Sequence, residues 1–148
     1  MPPGSRGPTT ERPPGSIAFA VCMRGDDRFL GVVGVDGLDW VHRTGETFSF
    51  LGPADVRGRG YGTEAKHLLL EYCFDRLDLL VLCSEVAEPN TRSAAALSKQ
   101  GYRRAGVRKW ADVTGGRYID DLLFDLTRRD WLAAREAWLA SRPAPGDG

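Results

Sequence analysis

From Ile17 the chain alternates: Ile17, Phe19 and Val21 are separated by small residues, which is the two-residue period of a strand, and Gly25-Asp-Asp ends it in a turn. Phe29 to Val35 is a second β-rich run, and the pair Asp36-Gly37 is expected to close it as a hairpin turn. Thr47 to Leu51 completes an antiparallel meander. The period then lengthens. Between Gly62 and Leu77 apolar residues fall at Ala65, Leu68, Leu69, Tyr72, Cys73 and Leu77, the spacing of a helix with one buried face. Leu79 to Cys83 is apolar on both faces and bounded by charge, as a central strand must be. A right-handed helical crossover should set it parallel to the third strand. Asn90 to Gln100 predicts a second helix, capped by Asn90 and stopped by Gly101. Tyr102 to Val107 and Tyr118 to Leu126 are expected to pair antiparallel across a loop containing Gly115-Gly116. Residues 128–140 predict a last helix with Trp131, Ala134 and Trp138 on one side.

The chain has 148 residues, enough for one domain with a proper core. Residues 1–16 are rich in Pro and Gly and cannot repay their ordering entropy, so a disordered leader is expected there, a folded domain over 17–140, and a flexible tail over 141–148. Twenty basic residues balance twenty acidic ones, so no global field draws the protein to nucleic acid or to an anionic membrane. Cys22, Cys73 and Cys83 are odd in number and lack metal-ligand spacing, which argues against a disulfide framework or a zinc site. They read as buried small hydrophobes in a reducing cytoplasm. No apolar run approaches a membrane span, and no signal peptide is visible.

Against this background one stretch carries chemistry. Pro53 to Ala65 places Gly58, Gly60 and Gly62 between a strand and the first turn of a helix. Three glycines so close together imply φ > 0 or close approach of the main chain to a ligand. The unpaired N–H groups and positive dipole of the helix start make a seat for phosphate, and Arg57 and Arg59 add charge beside it. A lysine P-loop is excluded, since Gly62-Thr63-Glu64 stands where Gly-Lys-Ser/Thr is needed. Gly60-x-Gly62-x-x-Ala65 also matches a dinucleotide fingerprint. That reading fits poorly, because six residues, Gly52 to Arg57, separate the strand from the first glycine.

Arg57-x-x-Gly60-x-Gly62 resembles the Gln/Arg-x-x-Gly-x-Gly/Ala signature of the GNAT superfamily of acyl-CoA-dependent N-acyltransferases. Glu88-Pro-Asn90-Thr-Arg-Ser93, followed by Leu97-x-Lys99-x-Gly101-Tyr102, resembles that superfamily's second cofactor-side segment. Gly115-Gly-Arg-Tyr118-x-Asp120, with Trp131 closing the pattern, is similar to the branch of ribosomal-protein N-terminal acetyltransferases and polyamine acetyltransferases. Together these matches span Phe19 to Trp131. The resemblance implies an α/β (α+β) fold with a mixed, mostly antiparallel central sheet flanked by helices, entered at the family's second strand. The first strand and the helices that wall the acceptor cleft have no counterpart in the pattern.

The resemblance also implies a site. Acetyl-CoA would be the cosubstrate, its pyrophosphate held by the main chain of Arg59, Gly60, Tyr61, Gly62 and Thr63, with Gly58 in the loop and Arg57 and Arg59 donating. Its arm would run between Phe50-Leu51 and Cys83 to Glu85. Main-chain donors near Phe50 and Leu51 would polarise the thioester carbonyl. Asn90 and Ser93 would contact the arm, and Asn90 also reads as a helix cap. An amine must lose a proton before it attacks, so a carboxylate or histidine should face it, and Glu46 is the first choice. Counting back from the glycines puts Thr47, one residue on and facing the other way, at the position where branch members often carry a glutamate. His42 and Asp39 are weaker candidates. Leu97 stands where many members place a tyrosine as general acid. Tyr102 reads as core, Asp120 and Asp121 as caps of the Gly-Gly hairpin, and His67 as a surface residue. No metal is implied.

The expected activity is N-acetylation of a primary amine, a protein N-terminus, a polyamine or another small amine, by direct attack. The alternative is a catalytically weak acyl-CoA-binding module or an N-terminally shortened family member. A second copy covering the cleft left by the missing wall is a further expectation.

Overall fold

The computed structural model describes residues 12–52 and 58–142. Six strands form one sheet in the order β1-β2-β3-β4-β6-β5, comprising β1 (Ile17–Cys22), β2 (Phe29–Asp39), β3 (Thr44–Leu51), β4 (Val81–Ala87), β5 (Arg103–Thr114) and β6 (Arg117–Thr127). Three helices accompany them: α1 (Tyr61–Glu71), α2 (Thr91–Lys99) and α3 (Arg128–Ser141). All neighbouring strands are antiparallel except β3 and β4, which run parallel with α1 as their crossover. The mixed, mostly antiparallel architecture is the one the sequence pattern predicts.

One face of the sheet carries the core. Val33 and Val35 of β2, Leu82 and Val86 of β4, and Phe124 and Leu126 of β6 alternate onto it, and the buried residues of α1 with Leu97 of α2 and Trp131 of α3 close it off. On the opposite face Glu46, Cys83, Glu85 and Leu123 are half-buried and Phe50 is exposed. No described helix buries its apolar residues against that face.

β3 begins at Thr44, three residues before the expected Thr47, and β4 spans Val81–Ala87 where the pattern predicts Leu79 to Cys83. Further differences have a visible cause. Asp36-Gly37 is no hairpin turn: β2 continues through a bulge to Asp39, and the chain reverses at residues 40–43. The cause is the Asp39 side chain, which accepts from the backbone N–H of Val41 at 3.0 Å and of His42 at 2.8 Å. β5 and β6 are longer than predicted and meet at Gly115 and Gly116, whose φ of 59° and 76° suit the tight turn that matches strand twist. The helix after the glycine loop ends in a π-helical turn, Tyr72–Arg76, where Leu77 N–H reaches back to Tyr72 O at 3.0 Å.

Its buried face differs as well. Leu68 is exposed, whereas Lys66, His67 and Leu70 are buried. α1 is covered on two sides, by the sheet and by α3, so its buried surface is wider than a single apolar stripe. α3 is held against it by Phe74 stacked on Trp131 at 5.4 Å, by His67 stacked on Trp138 at 4.4 Å, and by Arg135 paired to Glu71 at 2.9 Å. His67 is therefore a core residue, 3% exposed, not a surface one. Cys22, at the exposed end of β1, is likewise not buried as expected, while Cys73 is; all three cysteines are free. Of the predicted leader and tail, residues 1–11 and 143–148 lie outside the described part. Pro14 and Gly15 accept hydrogen bonds from Trp40 Nε1 and Leu38 N. Among the described residues no helix is long and apolar enough to cross a membrane, and no cluster of metal-ligating side chains occurs.

Candidate functional site

β3 and β4 are paired over only three positions, Thr44 with Val81, Gly45 with Leu82 and Glu46 with Cys83. Both strands continue, β3 to Leu51 and β4 to Ala87, but apart. The backbone groups that face into this fork lack a strand partner and, apart from Thr47 O and Cys83 O, which side chains engage, are available to an extended amide chain. At its base, on the helix side, the gap is bridged by side chains. Ser84 Oγ donates to Thr47 O at 3.1 Å, and Thr47 Oγ1 shares a short hydrogen bond with Tyr102 OH and accepts from Lys66 Nζ.

A cleft of about 700 Å³ opens on the helix side, between the start of α1 and α2. Its upper rim is the glycine loop. Gly58 and Gly60 have φ of 78° and 84°, and a side chain on either would meet nothing within 4 Å, so backbone conformation rather than crowding requires glycine there. The first intrahelical bond runs from Glu64 N–H to Gly60 O, and the amides of Tyr61, Gly62 and Thr63 have no backbone acceptor among the described residues. All three residues line the cleft, as do Leu51, Asn90 and Ser93. Asn90 serves as a cap as well, its Oδ1 accepting from Ser93 N at 3.2 Å.

Not every expected residue gathers here. Arg57 lies outside the described residues, and Arg59 is exposed and does not line the cleft. Phe50 is 71% exposed on the other face of the sheet, where only its backbone can serve the fork. In their place the cleft has Arg92, Lys99 and Gln100 of the α2 segment, together with Leu30 and Ser49. Arg92, Ala96 and Lys99 share one face of α2 at i, i+4 and i+7, and that spacing is the signal available in the sequence. A helix face is legible there; the object it points at is not.

Glu46 occupies the last paired position, just where the strands part, and faces away from the helices. Burial raises its carboxyl pKa, and the nearby charges of Glu85 and Asp36 raise it further. Glu85 is itself paired to Arg108 at 2.7 Å. Thr47, one residue on, is buried on the helix side. His42 is exposed and bound to Asp39 at 2.8 Å, away from the fork. Asp120 joins Lys109 and the Trp110 amide across the β5–β6 hairpin, a structural task that lowers its pKa. Leu97 is buried in the core and Tyr102 lies fully inside it, the burial raising the phenol's pKa.

A family model described as acetyltransferase (GNAT) domain matches residues 8–103. A curated relative named "Uncharacterized N-acetyltransferase p20", from Bacillus licheniformis, is 26% identical over 113 residues, 76% of this chain and 63% of the relative. "Uncharacterized N-acetyltransferase YnaD", from Bacillus subtilis, is also 26% identical over 113 residues, covering 76% and 65%. The chain thus spans less than two thirds of the length of these relatives. Among solved structures, a mutant form of the spermidine N-acetyltransferase SpeG from Vibrio cholerae aligns with a TM-score of 0.74 and 21% identity, covering 80% of this chain and 69% of that one. At that identity the likeness speaks to the fold.

Proposed function

Because the chain belongs to the GNAT acetyltransferase family, we propose that it transfers an acetyl group from acetyl-CoA to a small primary amine. The observation that carries this reading is the fork. β3 and β4 separate immediately beyond Glu46 and Cys83, so their parted main chain stands between the cleft, which Ser49 and Leu51 of β3 line, and the open face on which Glu46 stands.

The residues present fit the cosubstrate. The amides at the start of α1, with Arg92 and Lys99 across the cleft, would hold its phosphates. The fork's unpaired main chain would hold its arm. Acetyl-CoA, when bound, supplies the thioester whose C–S bond breaks as the amine's N–C bond forms. On the open face Glu46 takes a proton from the arriving amine, and its raised pKa brings it nearer to that of a competent base. Asp36 and Asp121 stand near it, Glu85 being tied to Arg108, and the balance of charge on this face stays negative and attractive to a cationic amine. That the SpeG neighbour is named for spermidine leans the same way. Leu97 offers no proton to the leaving sulfur, so the rate would rest on positioning and on the base. A cytoplasmic location follows from a CoA ester as substrate and suits three free thiols.

Thermal unfolding with acetyl-CoA, CoA or NAD, each at about 100 times its Kd, tests the reading. Binding at that excess adds about 2.7 kcal/mol, a rise of about 5 to 10 °C in midpoint for a chain of this size. A shift with the CoA species alone is expected, followed by turnover in a panel of amines; no shift with CoA overturns the reading. Leu97 favours one other reading, an acyl-CoA-binding module with little turnover. Release of free thiol on adding any amine of the panel would exclude it.

A further inference from the structure

On the face of the sheet that carries the core, β4 alternates Leu82, Ser84 and Val86, and β3 presents Gly45 and Thr47. Thr47 is 2% exposed and Ser84 6%. Two hydroxyls thus stand on neighbouring strands in a layer otherwise built of Val, Leu and Phe. Valine would fill the place of Thr47 without the cost of burying a hydroxyl, so the reason for both lies in the bonds they make.

Each hydroxyl crosses to the other strand. Ser84 Oγ donates to Thr47 O at 3.1 Å, and Thr47 Oγ1 donates to Cys83 O at 3.4 Å. The place is where the strands part: the last ladder pair is Glu46 with Cys83, and Thr47 and Ser84 are the residues that follow it. A hydroxyl has one proton and two lone pairs. With the Thr47 proton directed at Cys83 O, Tyr102 OH donates to Thr47 Oγ1, and Lys66 Nζ, which can only donate, fills the remaining lone pair at 2.9 Å. The Thr47 hydroxyl is therefore saturated. Through Lys66 it ties the parting to α1, and through Tyr102 to the start of β5.

We infer that this reciprocal clasp sets where β3 leaves β4, and that Thr47 and Ser84 are positioning residues, acting through the fork's main chain and through Glu46, which Thr47 follows directly. The inference rests on the acetyl-transfer reading and adds to it the groups that hold its geometry. Side-chain bonds stand at the end of the ladder, so their loss frees the strands to pair further or to part sooner. Either movement displaces Glu46.

Thr47→Val keeps the shape and removes the hydroxyl, but by itself it would strand the Lys66 ammonium in the core. It is therefore made together with Lys66→Met and compared with the K66M protein, and Thr47→Ser in that same background is the conservative control. Ser84→Ala, in the unsubstituted chain, breaks the other half of the clasp with no charge left behind. The readouts are amide hydrogen exchange of the free proteins by NMR, and kcat with acetyl-CoA and an amine of the panel, measured well below every melting temperature. In K66M/T47V and in S84A the amides of residues 44–47 and 81–84 should exchange roughly 5 to 10 times faster while the β5–β6 ladder is unchanged. In both, kcat should fall by roughly 10 to 10². The Thr47→Ser control should restore exchange and rate to those of the K66M protein. Exchange that is unaltered at the fork or faster over the whole sheet, an unchanged kcat, or a serine control as impaired as the valine variant overturns the inference. If the unsubstituted chain turns over no amine, the acetyl-transfer reading fails instead, and the exchange measurement still decides whether the clasp holds the strands.

Discussion

Lys66 Nζ donates to Thr47 Oγ1 across 2.9 Å inside the core, with no carboxylate in the contact. The ammonium also lies 5.6 Å from the Tyr102 ring centre. Burial lowers the Lys66 pKa from 10.5 to about 8, the Cys73 thiol nearby acting weakly the other way. Lys66 is 4% exposed, so solvent does little to relieve the cost.

The sign of the resulting pH dependence follows from linkage. Below about pH 8 lysine is charged in both folded and unfolded chains, and the fold carries the full penalty of burying it. Between 8 and 10.5 the unfolded chain binds more protons, so stability rises with pH, by roughly 3 kcal/mol if it acted alone. Cys73, pushed up to about 12 from 9, opposes this above pH 9, as does Tyr102 above 10. The clean window is pH 8 to 9. Lys66→Met should abolish the rise there and stabilise the protein at pH 7 by roughly 1 to 3 kcal/mol, because Thr47 and Tyr102 keep each other. Urea unfolding at closely spaced pH values decides it, and a less stable K66M protein would contradict the account.

His67 gives the opposite trend on the acid side. Burial lowers its pKa below 6.5, with the charge of Arg135 adding to the effect. The unfolded chain therefore takes up the proton first, and stability should fall as pH drops below about 6.5. His67→Phe keeps a ring against Trp138 and removes the proton. The difference in stability between pH 7.5 and 5 should shrink in the H67F protein; an undiminished difference would assign the acid sensitivity to other groups.

At the proposed base, Glu46→Gln should lower kcat by about 10² to 10⁴. In the unsubstituted chain the rate should rise with pH through the raised carboxyl pKa, since the base works only when ionised. The E46Q protein should lose that limb of the profile while its melting temperature changes little. A profile identical to that of the parent chain removes Glu46 from the mechanism.

Gly60→Ala separates fold from ligand in the cradle. The added methyl meets nothing within 4 Å, but φ of 84° is strained for alanine, at about 1–2 kcal/mol. A fall of about 3 to 8 °C in midpoint is expected from that strain. CoA affinity should fall further than the melting change accounts for, because the methyl stands on the loop proposed to hold the pyrophosphate. Affinity unchanged in calorimetry would mean that the loop is merely a tight turn.

The glycine turn and the order of elements are legible in the sequence because each rests on neighbours along the chain. Glycines at Gly58, Gly60 and Gly62 announce a special backbone wherever they fall, and Asn90 three residues before Ser93 is a cap by geometry alone. Asp36-Gly37 misled because the Asp39 side chain offers two backbone amides a better turn three residues later. Leu68 and His67 exchanged places because α1 lies between the sheet and α3, and a helical period gives the direction of one face without saying how many surfaces will cover it. Gln100 passed for the end of a helix; nothing adjacent to it in sequence reveals that its oxygen would be buried without a partner among the described residues.

Local spacing alone determined that this chain is a strand meander, a glycine turn and two βα crossings, because capping, turn and periodicity preferences act within a few residues. Tertiary structure alone decided where β3 leaves β4, and which polar groups that fork would bury. The contacts that bridge it join Thr47 to Lys66 and to Tyr102, 19 and 55 residues away. The burial that shifts the pKa of Lys66, Glu46 and Tyr102 arises only when those distant segments meet.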